Sequence, residues 1–76
     1  MHAIVYSQPN CPACVTAKTH LKMSGYTVEE RILGVNATKT QLMADFPDAR
    51  SVPQVIMDGV KVGSVGKVLE ALGRTD

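Results

Sequence analysis

Asn10-Cys11-Pro12-Ala13-Cys14 holds the chain's only two cysteines, three positions apart. The run before it, Ala3 to Tyr6, is apolar and β-prone, and the run after it, Val15 to Ser24, has neither proline nor glycine until Gly25. The stretch reads as a strand-to-helix junction, with Cys11 at the helix entrance and Cys14 in the first turn. Positions i and i+3 of a helix share a face at a Cα separation of roughly 5 Å, which a disulfide can span. The pair can therefore open and close with little backbone movement.

That placement carries chemistry. Free amide N–H groups at a helix start favour negative charge and can lower a cysteine pKa from about 8.5 into the range of roughly 3.5–7.5. Cys11 is expected to be the attacking thiolate and Cys14 the resolving thiol. Pro12, at or beside the first helical position, has the preset φ and lacks an N–H that would be an orphan there. A structural disulfide is the plainer reading, but a bridge closing so few residues removes little unfolded-state entropy. Cys-x-x-Cys beside a β-α-β pattern reads instead as a redox motif. Zinc needs four ligands, and His2 and His20 are not at finger spacing from the cysteines. No metal is expected, and His20 is read as a solvated residue on the first helix.

Composition bounds the rest. A chain of 76 residues makes one small domain. Hydrophobic residues at 45% and charged ones at 20% are ordinary for a globular protein, and a net charge of +1 offers no patch for nucleic acid or membrane. The N-terminal apolar run ends at Ser7-Gln8-Pro9, too short for a signal peptide or a membrane span. A cytoplasmic, reducing setting and a monomer are the expectations.

Around the junction, Ala3 to Tyr6 is nearly continuous in apolar residues, as in a central strand buried on both faces. In the following helix Cys14, Ala17 and Leu21 form the inward stripe, Lys18, Thr19 and Lys22 face water, and Ser24-Gly25 ends it. Tyr26 to Leu33, with Val28 and Ile32 among charged residues, reads as an edge strand parallel to the first, joined by a right-handed crossover. A second helix is expected over Ala37 to Phe46, stopped by Pro47, with Leu42, Met43 and Phe46 in the core along with the other methionines. Gln54 to Met57 and Val60 to Val62 flank Asp58-Gly59, the signal of a two-residue type I′ hairpin. Val65, Val68, Leu69 and Leu72 then recur at helical spacing before Gly73. The order β-α-β-α-β-β-α is an α/β, thioredoxin-type topology, a four-stranded mixed sheet with helices on both faces.

With Cys11-Pro12-Ala13-Cys14, Ser51-Val52-Pro53 and the Asp58-Gly59 hairpin followed by Gly63-Ser64 in this order, the chain resembles a glutaredoxin along nearly its whole length. That family carries Cys-Pro-x-Cys, a Thr-Val-Pro turn with a cis proline, and a Gly-Gly turn after the hairpin. The resemblance implies a dithiol oxidoreductase that reduces protein or glutathione mixed disulfides, with Cys11 and Cys14 catalytic and ribonucleotide reductase a possible electron acceptor. It further implies glutathione and substrate contacts at Gln8, Pro12, Ala13, Arg50, Ser51, Val52, Pro53, Gly63, Ser64 and Val65. A cis Pro53 would turn the Val52 backbone toward the dithiol for pairing with an extended peptide or glutathione.

The chain also departs from the pattern. Many glutaredoxins have a lysine shortly before the first cysteine, a tyrosine inside the motif and an acidic residue after the glycine turn. Here those places hold Gln8, Ala13 and Gly66-Lys67. The loss of charged anchors suits a relative recharged by thioredoxin reductase. A reading from another class is an iron–sulfur module, with Cys11 thiolates of two protomers and two glutathiones holding the cluster.

Overall fold

The computed structural model describes residues 1–73. Seven elements follow in order: β1 (His2–Ser7), α1 (Pro12–Met23), β2 (Thr27–Ile32), α2 (Lys39–Asp45), β3 (Gln54–Met57), β4 (Val60–Gly63) and α3 (Val65–Ala71). The sheet order is β2-β1-β3-β4. β1 runs parallel to β2 from His2 opposite Thr27, and antiparallel to β3 with Ala3 opposite Met57. β3 and β4 are antiparallel, with a register shift between Val55 and Ile56 that the sequence pattern did not signal.

Side chains alternate across a strand, so β1 feeds two cores. Ala3 and Val5 join Ala17, Leu21, Val55, Met57 and Val68 on the face covered by α1 and α3. Tyr6 joins Ala37 and Leu42 on the face covered by α2, with Ile4, Phe46 and Val52 packed around them. This double duty explains why β1 is apolar at successive positions, as expected of a strand covered on both sides. β2 lies at the sheet edge, as its charged residues indicate.

α1 stops as its sequence predicts. Gly25, at φ +89°, donates to the Lys22 carbonyl while Tyr26 donates to the Leu21 carbonyl, which together close a Schellman motif. The β3–β4 turn has Asp58 at φ 49° and Gly59 at φ 82°, the two left-handed residues that a type I′ hairpin requires.

Four expectations need correction. α2 begins at Lys39, because Thr38 is its N-cap: the Thr38 side chain accepts from the Gln41 N–H, and the Gln41 side chain accepts from the Thr38 N–H. Met43 is exposed on α2, and Met1 and Met23 are exposed too, leaving Met57 as the core methionine. Lys18 does not face water freely but is half-buried against Glu30. His20 is only partly exposed, and its Nδ1 is buried with no hydrogen-bond partner among the described residues. No helix among those residues is long and apolar enough to cross a membrane.

Candidate active site

Cys11 is the N-cap of α1, extended at φ −117° and ψ 97°, and Pro12 follows as the first helical residue. The Cys11 carbonyl accepts the Cys14 and Val15 N–H groups, and the Cys14 N–H also points at Cys11 Sγ at 3.2 Å. Asn10, just before, takes a left-handed φ of 59°, which Asn tolerates better than most residues. The two cysteines form a disulfide with their Cα atoms 5.3 Å apart. Cys14 is 1% exposed, whereas Cys11 is open enough to be approached.

The dithiol lies in a surface depression lined by Gln8, Cys11, Pro12 and Cys14 together with apolar Val15, Ile32 and Val35. Lys18 and Glu30 complete the wall. Lys18 Nζ donates to Glu30 Oε2, and Ser7 Oγ donates to the same oxygen at 3.1 Å. The Lys18 hydrogen bond, opposed by desolvation and helped by Ser7, holds the Glu30 carboxyl below its usual range. Reading the residues alone missed this pair. Its one local signal is that Lys18 stands four positions after Cys14, on the same helical face.

The Val52–Pro53 peptide bond is cis, with Pro53 fully buried and Val52 half-buried. Ser51 and Val52 line a second depression together with Gln8, Arg50 and Met43. A third is lined by Arg50, Ser51, Gly63, Ser64 and Lys67 together with Asp45 and Asp48. Gln8 lines the first two and Arg50 and Ser51 the last two, so the three adjoin. Of the anticipated contact residues, Ala13, Pro53 and Val65 line none of them. Ala13 is half-buried in the first turn of α1, and Val65 packs on the main core.

The glutaredoxin family model matches residues 3–62, a span that contains the Cys-x-x-Cys junction and the cis-proline turn. The chain belongs to the glutaredoxin family. That family comprises thiol-disulfide oxidoreductases, and this chain carries the Cys11–Cys14 pair that such chemistry uses. The chain is 37% identical over 59 residues to the hybrid peroxiredoxin hyPrx5 of Haemophilus influenzae, matching 78% of itself but only 24% of that relative. Among solved structures, a single-residue variant of the thioredoxin-like protein BC3987 superposes with a TM-score of 0.76 at 34% identity, over 96% of each chain. Reduced Escherichia coli glutaredoxin superposes at 0.79 and 20% identity, over 96% of this chain and 94% of that one, which supports the fold.

Proposed function

We propose that this glutaredoxin reduces mixed disulfides between glutathione and protein thiols, and disulfides within proteins, drawing its electrons from glutathione. In the first step the Cys11 thiolate attacks the glutathionyl sulfur, forms a Cys11–glutathione disulfide and releases the protein thiolate. Either a second glutathione thiolate then attacks that bond and leaves as glutathione disulfide, or Cys14 gives up its proton and displaces glutathione, closing the Cys11–Cys14 bridge. Two glutathione molecules return the bridge to the dithiol, leaving as one glutathione disulfide.

The observation that carries this reading is the approachable Cys11 at a helix N-cap, with buried Cys14 behind it and the Ser51–Val52 depression adjoining. Turnover of a glutathionylated protein with NADPH, glutathione and glutathione reductase tests it. A rate no greater than that without the protein would overturn it.

A second reading has thioredoxin reductase as the source of electrons. It is favoured by Gln8, Ala13 and Lys67 in place of the family's usual anchors and by the likeness to a thioredoxin-like protein. Replacing glutathione and its reductase by thioredoxin reductase in the same assay separates the two. For the protein acceptor, the hybrid relative supports a peroxiredoxin, and the family resemblance supports ribonucleotide reductase. Peroxide consumption by an added peroxiredoxin, strictly dependent on this chain, is the result expected of the first.

A further inference from the structure

The wall of the dithiol depression contains two opposite charges whose purpose the disulfide chemistry above does not use. Lys18 reaches it from α1, one turn after Cys14, and Glu30 reaches it from β2, held by the Ser7 hydroxyl of β1. Their side chains are 22% and 33% exposed, so both are partly withdrawn from water, where a charge is felt more strongly than at an open surface. Among the described residues they are the charged side chains that line this depression. Lys22, on the next turn of α1, adds a weaker attraction on Glu30.

We propose that the Lys18–Glu30 pair sets the reduction potential of the Cys11–Cys14 couple, the two charges acting in opposite directions and nearly cancelling. When a small dithiol donor reduces the bridge, two electrons pass to it and the S–S bond breaks, while the donor closes its own disulfide. Of the donor's two protons, one stays on a protein thiol and one is released when the other sulfur is a thiolate. Negative charge therefore appears only on the reduced side. A nearby ammonium favours that side and a nearby carboxylate opposes it. Each partner masks the other, so removing one exposes the effect of the one left behind. The inference rests on the redox reading of the dithiol and not on which reductant serves it.

The test equilibrates each protein at pH 7 and low salt with mixtures of reduced and oxidised dithiothreitol, then traps thiols by alkylation and counts them by mass. Glu30→Gln leaves Lys18 unmasked and should shift the couple toward the reduced form by roughly three- to tenfold, about 15–30 mV upward for two electrons. Lys18→Met leaves Glu30 unmasked and should shift it by a similar factor the other way. The double variant should return close to the unsubstituted value, Lys18→Arg should keep it, and added salt should shrink both single shifts. Loss of a merely structural contact would lower stability in both single variants without opposed potentials. Shifts of one sign, or no shift, overturn the proposal. Glu30→Gln keeps an acceptor for Ser7 and Lys18, so it reads the proposal even if Lys18→Met fails to fold. If the unsubstituted protein shows no reversible transition in these buffers, the dithiol reading itself fails and takes the proposal with it.

Discussion

At the residue scale the two cysteines differ in what surrounds them, and that difference divides their work. Cys11 stands half-buried at the N-cap with an amide aimed at its sulfur, whereas Cys14 is closed in by the core. Cys11→Ser should abolish all turnover. Cys14→Ser should keep activity on glutathione mixed disulfides and lose reduction of protein disulfides, and equal loss of both activities would contradict the division. Glu30 makes a separate prediction about stability. Its folded-state pKa is depressed by Lys18, so its contribution is present above the ordinary carboxylate value and is lost as pH falls through the lower folded value. Glu30→Gln should therefore lower stability at pH 7 by about 1 kcal/mol or less, a discount that its partial exposure requires. Urea unfolding at acid pH should show the difference vanish. The cysteine spacing was legible in the sequence because helical geometry fixes it locally. The Lys18–Glu30 contact was not, because it depends on how far α1 and β2 are displaced along the sheet.

At the scale of elements, local signals were read well where backbone geometry is local. The Asp58-Gly59 turn, the Gly25 stop and the central place of β1, legible in its apolar run, needed no tertiary information. α2 was read less well. Its capping box, Thr38 with Gln41, is present in the sequence and starts the helix after Ala37, which is buried and bridged to Leu33. Spacing alone places Met43 in the core, but a helix of seven residues has room to bury little more than Leu42. What holds α2 in place is partly polar: Tyr6 Oη donates to Asp45 Oδ2 at 2.6 Å and accepts from Arg31 Nη1 at 2.8 Å. Such a short helix depends on its cap. Thr38→Ala should cost about 1 kcal/mol, since the Gln41 N–H loses its acceptor. Thermal unfolding should fall by roughly 4–8 °C for each 1 kcal/mol lost in a domain of this size, and an unchanged midpoint would show that the cap is dispensable.

At the scale of the whole molecule, the question is what its distribution of charge selects as reductant. With a net charge of +1 the chain has little long-range field, so selection rests on single charges near the site. Glutathione brings two carboxylates and one ammonium. In many glutaredoxins an acidic residue after the glycine turn suits the ammonium, but here Lys67 occupies that region. Its side chain passes over the turn: a Cβ on Gly63 would sit 3.5 Å from Lys67 Cγ. Arg50 lines the same depression, as do Asp48 and Asp45, the latter already engaged by the Tyr6 hydroxyl. If glutathione binds at this turn, the cation there removes one attraction and adds a repulsion. An exposed charge pair is worth about 0–1 kcal/mol, which converts to roughly fivefold or less in affinity. Lys67→Asp should therefore raise kcat/KM for a glutathione mixed disulfide by a few-fold, and the gain should shrink as salt is added. The same substitution should leave reduction by dithiothreitol unchanged, because that donor has no ammonium to recognise. If kcat/KM with the glutathione substrate does not move, then Lys67 does not face the bound tripeptide, and the case for thioredoxin reductase as the electron source is correspondingly stronger.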